Sequence, residues 1–266
     1  MVANKRAVAA GHICIDITPL FPKGSAGEAG RILAPGRLVQ MDGVDIHPGG
    51  AVANTGLAMK RLGVDVRLMG KIGKDELGAL ILKRLEEHGA AEGMILSDQE
   101  KTSYSVVLAI PGIDRIFLHD PGANVTFSGS DLDFEAIKGA DLDMGAGFVL
   151  IKCGAPGIYY RTASGKRIED LCRKLNLSKE SWKDKEGFEP SFEPDAVVSG
   201  SGAGDTSIAA FLASVLREAD LREAVEMAAA AGACCVAAYD ALSGLKSLEE
   251  MKERIRRGWR KREYRP

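Results

Sequence analysis

Between residues 50 and 88 the hydrophobic pattern changes from helical to extended and back, and this alternation limits the possible folds more than any other feature of the chain. Residues 50–62 read as a helix stopped by Gly63, residues 64–69 as a strand, and residues 75–88 as a second helix. In the second helix Leu77, Leu80, Ile81 and Leu85 share one face, Asp75 is placed to cap the start, and Gly89 ends it. Strands linked through helices by such short connections build a mostly parallel sheet, so the expected class is α/β.

The remaining segments fit around that frame. Residues 7–17 are apolar and β-rich and place Asp16 at the carboxyl end of a first strand, the edge where open α/β sheets bind ligands. Residues 18–46, rich in Gly and Pro, read as an excursion with short strands at 37–41 and 44–46. Residues 103–110 and 115–119 form a hairpin turned at Pro111-Gly112-Ile113-Asp114. The stretches 18–46 and 103–119 are expected to build a small β-lid on a single domain spanning 1–266. A second strand pair, 148–153 and 157–161, surrounds Gly154-Ala155-Pro156-Gly157, and the polar stretch 162–194 reads as a surface excursion. Residues 206–216 form a helix with Ile208, Phe211, Leu212, Val215 and Leu216 on its apolar face, and an Ala-rich helix follows at 221–238.

Composition narrows the function. The 266 residues are 45% hydrophobic, enough for a sizeable core, and 35 basic residues against 37 acidic ones give no global field favouring nucleic acid or an anionic membrane. The basic run 252–265 has acids interspersed and reads as a solvated terminal helix rather than a nucleic-acid arm. Five cysteines, an odd number with no C-x-x-C pair, argue against a disulfide framework or a zinc site. The four histidines show no metal-ligand spacing. Residues 1–6 are polar and no apolar run is long enough to span a bilayer, so the expected location is the cytoplasm.

The segment with the clearest chemistry is Val197-Val198-Ser199-Gly200-Ser201-Gly202-Ala203-Gly204-Asp205-Thr206, an apolar stub and a glycine-rich turn opening a helix. Unpaired amides at a helix start suit a phosphate, and small residues let it approach closely. Asp205 opposes a phosphate unless it has a task; it either caps the helix or takes a proton from an attacking hydroxyl. Asp16 and Asn54 suit a polyol by their hydrogen-bonding capacity, although capping a turn or a helix is the commoner use of such residues at these positions.

Taken together, the motifs resemble the ribokinase-like (PfkB) family of sugar kinases. Gly202-Ala203-Gly204-Asp205, followed by Ile208-Ala209-Ala210-Phe211, is similar to that family's second signature; Gly49-Gly50-Ala51-Val52-Ala53-Asn54 resembles its sugar-binding turn. Gly70 to Gly78 resembles its next strand-to-helix turn, Ile151 to Gly157 its nucleotide-lining turn, and Gly122-Ala123-Asn124 follows the hairpin as in many members. The resemblance implies a three-layer α/β sandwich in which Asp205 is the base and Gly202, Ala203 and Gly204 form the anion hole. It implies acceptor contacts from Asp16, Gly49, Gly50 and Asn54. It further implies ATP bordered by Lys152, Gly154, Gly157, Ala238 and Ser243, Mg2+ bridging the nucleotide phosphates, and a homodimer formed through the lid.

The chain also departs from that pattern. Residues 141–147 are too short for the βα units the family places before the strand at 148–153, which take roughly 30 residues each. The family's Asn-x-x-Glu motif is missing with them. Ser199-Gly200 stands where many members have Asp-Thr, so potassium dependence is not expected, and Ala51 replaces a lysine found in some members. An anionic group on the acceptor would need another cation, such as Arg37, Lys71 or Arg115, all three of which read first as solvated surface charges. The rival expectation is a truncated, non-catalytic sugar- or nucleotide-binding protein of the same fold.

Overall fold

The computed structural model describes residues 6–22, 34–111, 115–138 and 148–263. The proposed junction at 141–147, part of the 18–46 excursion and most of the hairpin turn therefore lie outside the described residues. Contacts divide the chain into two compact units, one of Met1–Ala9, Asn54–Leu68 and Asp133–Pro266, the other of Ala10–Ala53 and Met69–Leu132.

Three sheets occur among the described residues. Strands β1 (Arg6–Ala10), β4 (Asp65–Gly73) and β5 (Met94–Ser97) form one in the order β1-β4-β5, with β4 and β5 parallel. Strands β2 (Cys14–Pro19), β3 (Val44–Gly49), β6 (Tyr104–Leu108) and β7 (Ile116–Asp120) form a mixed sheet in the order β3-β2-β6-β7. Strands β8 (Phe148–Lys152), β9 (Gly157–Thr162) and β10 (Glu186–Pro190) form an antiparallel sheet in the order β10-β9-β8. Helices α1 (Gly50–Arg61) and α2 (Glu76–Glu86) fall where the alternation predicts them, and a short α3 (Phe134–Lys138) follows the four-stranded sheet in the chain.

The expected first strand is in fact two strands in different sheets. Gly11, at φ +138°, breaks the run, and its amide bonds to the Met69 carbonyl. The side chain of Asn124 then takes both backbone groups of Ile13: Oδ1 accepts from its N–H at 3.0 Å and Nδ2 donates to its carbonyl at 2.9 Å. With those groups satisfied away from a ladder, the chain leaves β1 and enters β2, so Asp16 lies within the four-stranded sheet. The 3₁₀ turn Gly122–Thr126 positions Asn124, and a Cβ on Gly122 would meet the Lys101 carbonyl at 2.5 Å. Residues 37–41 form no strand.

Asp75 caps α2 as its sequence position suggests. Its carboxylate accepts from the amides of Gly78 at 2.9 Å and Thr102 at 2.8 Å, tying the helix start to the chain ahead of β6. Burial pushes this carboxyl up, but the hydrogen bonds from Thr102 and Gly78, with Lys101 nearby, bring it below its ordinary value. A depressed carboxylate stabilises the fold above the unfolded-state pKa, roughly 3.9, and that stability fades as pH falls through the folded value. Asp75→Ala is expected to lower stability by about 1–2 kcal/mol at pH 7 and by less below pH 4, as urea titrations at both pH values will show.

In the first unit, α6 (Ala203–Leu216) packs on α7 (Leu221–Cys235). The expected face of α6 is only partly right: Phe211, Val215 and Leu216 are buried, but so are Ala209, Ala210, Ala213, Thr206 and Ser207, while Ile208 and Leu212 are less so. Small residues allow close approach on several sides, and a Cβ on Gly232 of α7 would meet Ser207 Oγ at 2.6 Å.

The stretch 162–194 is not a surface excursion. It contains α4 (Lys166–Leu175), α5 (Lys179–Trp182) and β10, and it buries Ile168, Leu171, Cys172, Leu175, Trp182 and Phe192. Apart from the largely buried Glu189, its lysines and glutamates occupy the outer faces of short amphipathic elements. Trp182 is fully buried, donates from Nε1 to the Ala219 carbonyl at 3.1 Å, and clusters with Phe148 and Phe211 at centroid distances of 5.7 and 5.9 Å.

The basic terminal run forms α8 (Leu248–Arg256) and a strap behind it that is pinned down. Arg254 holds Asp195 through two hydrogen bonds, of 2.9 and 2.6 Å, and lies 3.9 Å over the Trp259 ring; Trp259 stacks on Phe192, and Lys261 pairs with Glu189 and Glu226.

Candidate active site

The glycine turn and its helix lie where the sequence places them, although residues 197–198 form no strand. The amides of Val198 and Ser199 bond instead to the Val236 carbonyl at the end of α7. Gly202 is the N-cap of α6 at φ +73°, and a Cβ there would collide with that of Ala241. The first amides of any helix have no partner within it, so the start of α6 offers converging donors and the positive end of its dipole. Thr206 and Ser207 turn their hydroxyls back onto the Gly202 and Ala203 carbonyls, which leaves the amide end clear of their side chains.

Asp205 occupies the first turn of α6. Its Oδ2 accepts from Asn54 Nδ2 at 3.0 Å, and its backbone carbonyl accepts from Thr55 Oγ1 at 3.4 Å, so α1 holds the carboxylate in place. Lys152, at the end of β8, extends over Gly204: its Cδ and Cε lie 3.0 Å from where a Cβ would be, and its ammonium group fills the rest of that space. A cation, a bare glycine and a helix start thus meet at one point, an arrangement that fits a phosphoryl group.

The neighbouring turns belong to the same unit. The Cys153 amide bonds to the Gly157 carbonyl, and Gly157, at φ +143°, has no room for a side chain beside Glu189. In the segment holding Ala238 and Ser243, Asp240 accepts from the amides of Leu242 and Ser243 at 2.7 and 2.8 Å. Cys235 donates to the Ser201 carbonyl at 3.4 Å, and burial pushes its thiol up to about 11, so it stays protonated.

These contacts separate two glycines that look equivalent in sequence. Gly202→Ala meets both a left-handed backbone and Ala241, and is expected to lower stability by about 1–2 kcal/mol or more. Gly204→Ala need only displace the flexible end of Lys152 and is expected to melt within a few degrees of the parent. Thermal unfolding of the two variants measures the difference.

Asp16, Gly49 and Gly50 lie in the other unit. Gly49 lacks a Cβ because the Asp16 carboxylate occupies that space, and Gly50, at φ +82°, lies against His12, whose Nδ1 would be 2.6 Å from a Cβ. Sequence reading did not single out Ser105, the cross-strand partner of Asp16, His119, the partner of Ser105, or His12, whose imidazole feels the Asp16 charge.

The family profile described as pfkB family carbohydrate kinase matches residues 5–163 and 135–247. The chain belongs to that family. Its relatives include fructokinase-1 of Zea mays, 29% identical over 144 residues that cover 53% of this chain and 41% of the maize protein. Fructokinase-1 of Oryza sativa subsp. japonica is 29% identical over 140 residues, covering 52% and 40%. The aligned stretch thus spans about two fifths of the length of these relatives.

Among solved structures, ribokinase from Thermotoga maritima superposes with a TM-score of 0.72 at 17% identity, covering 95% of this chain and 99% of that one. Arabidopsis thaliana ribokinase complexed with ribose and ATP gives 0.68 at 17%, covering 94% and 98%. The fold is therefore ribokinase-like α/β, as the motif order implies. The two profile matches overlap over residues 135–163, which bracket the expected junction.

Proposed function

We propose that this chain transfers the γ-phosphoryl group of ATP to a hydroxyl of a sugar or related polyol. The observation that carries this reading is the Asp205 carboxylate, held by Asn54 on the first turn of a glycine-started helix beside the Lys152 ammonium. A carboxylate within reach of a hydroxyl serves as general base, and helix amides with a nearby cation stabilise the charge of a transferring phosphoryl group.

In this reading Gly202, Ala203 and Gly204 line the anion hole. Lys152, Gly154, Gly157, Ala238 and Ser243 border the nucleotide, and Asp16, Gly49, Gly50 and Asn54 hold the acceptor. Mg2+ would come with the nucleotide and offset the charge of its phosphates. The four-stranded sheet serves as the lid. One of its faces carries the cross-strand row Ile46, Ile17, Val106 and Leu118, with Ile116 nearby, which supports a homodimer formed through this sheet. Among the described residues no helix is long and apolar enough to cross a membrane, and the proposed location is the cytoplasm.

The test is ADP release with Mg-ATP across a panel of sugars, sugar phosphates, sugar acids, polyols and nucleosides. Acceptor-dependent release supports the kinase. Its absence from folded protein across the whole panel would leave the non-catalytic binding reading, which the family match does not favour.

A further inference from the structure

The register of the four-stranded sheet sets a polar row across its full width. His47 on β3 is the cross-strand partner of Asp16 on β2, Asp16 of Ser105 on β6, and Ser105 of His119 on β7. Cross-strand partners project to the same face, so these four side chains share one surface, with Cys14 and Thr18 two residues to either side of Asp16. Ser105 Oγ and His119 Nδ1 form a hydrogen bond of 3.0 Å, and the His119 ring lies 5.3 Å from that of His12. Cys14 Sγ donates to Asp16 Oδ1 at 3.4 Å. Three of the protein's four histidines therefore lie on or beside this row.

His12 supplies the second observation. Its Nε2 is buried and has no hydrogen-bond partner among the described residues. An orphaned buried polar atom costs about 1–3 kcal/mol, a penalty that a ligand hydroxyl removes when the side chains covering Nε2 shift to admit it. Burial, reinforced by His119 and opposed by Asp16, pushes the His12 imidazole below its ordinary value, so its ring is neutral at pH 7.

The charges on this face select the ligand. Among the described residues its acidic groups are Asp16 and Asp45, the latter 3.1 Å from His47 Nδ1 outside hydrogen-bonding geometry. The row itself contains no lysine or arginine. The nearest cation in sequence, Arg115, precedes β7 and lays its guanidinium 5.5 Å from the ring of Phe117, two residues from His119, so it lies toward the β7 end of the row and away from Asp16. A phosphate or carboxylate on the ligand would meet carboxylates here. Hydroxyls, which both donate and accept, suit every group in the row.

We propose that His12, Ser105 and His119, together with Asp16, recognise the acceptor, and that the acceptor is an uncharged polyhydroxylated molecule rather than a sugar phosphate or sugar acid. Calling the bound molecule an acceptor rests on the kinase reading; the recognition surface does not.

Calorimetric titration of the full chain without nucleotide tests this, using ribose, fructose and inositol beside ribose 5-phosphate, fructose 6-phosphate and gluconate. At least one neutral compound is expected to bind about tenfold or more tightly than the anionic ones. His119→Phe and His12→Phe, which keep a ring and remove its nitrogens, are expected to weaken that binding at least tenfold. His119 is exposed on an edge strand, so its variant reports even where His12→Phe fails to fold. Unchanged affinity in His119→Phe, tighter binding of an anionic compound, or no binding by any neutral compound would each overturn the proposal. Parallel ADP-release assays keep the two readings apart. Acceptor-dependent release indifferent to His119→Phe sinks the recognition surface and leaves the kinase; His119-dependent binding without release does the reverse.

Discussion

Asp205→Asn is expected to lower kcat by about 10²–10⁴-fold while leaving the melting temperature within a few degrees of the parent. Asparagine retains the shape of the side chain and an oxygen that can accept from Asn54, so the 3.0 Å contact between α1 and α6 survives the substitution. What it removes is the capacity to take a proton. It also removes a negative charge beside the phosphate cradle, so nucleotide affinity should hold or improve. Steady-state ADP release with a saturating acceptor gives kcat, and nucleotide titration gives the affinity. A rate within tenfold of the parent would mean that Asp205 only caps α6 and that the proton leaves by another route.

Trp182→Ala is expected to have the largest effect on stability. Removing a fully buried tryptophan costs about 3–5 kcal/mol, against a total of about 5–15 kcal/mol for a typical domain. Three losses coincide: the ring's contacts with Phe148 and Phe211, the hydrogen bond to the Ala219 carbonyl, and the filling of the space between α5 and α6. Phe211 lies on the helix whose first turn carries Asp205, so activity should fall at temperatures where the parent is still fully folded. Urea unfolding followed by circular dichroism measures the loss. A change below about 1 kcal/mol would mean that 162–194 lies outside the cooperative core, as its composition had suggested.

That composition misled because lysine and glutamate dominate the stretch by number while the buried residues are spaced helically. Ile168, Leu171, Cys172 and Leu175 follow i, i+3, i+4, i+7, a period legible in the sequence but outweighed there by overall polarity. The elements between 50 and 88 were readable because their periods are long and bounded by Asp75, Gly63 and Gly89. The turn at Gly202 to Asp205 was readable because glycine spacing before a helix has few structural meanings. Strand register was not readable. Nothing in the local sequence pairs Ser105 with both Asp16 and His119, since register emerges from the way distant strands meet. The division of residues 7–17 into two strands was likewise hidden, because it depends on one amide side chain, Asn124, more than a hundred residues away.

Strand β8 ends the antiparallel sheet, with no hydrogen-bonded neighbour beyond it among the described residues, and it turns Val149 and Ile151 outward, at 47% and 52% exposure. Where such an edge stays unpaired, its β-branched residues make it a template that can add further strands from solution. The shelf life of this protein should therefore depend on concentration more than on temperature: dilute samples stay dispersed, while concentrated ones are lost from the native state without first unfolding. A lysine at position 149, facing solvent, would interrupt that growth at little expense to the sheet.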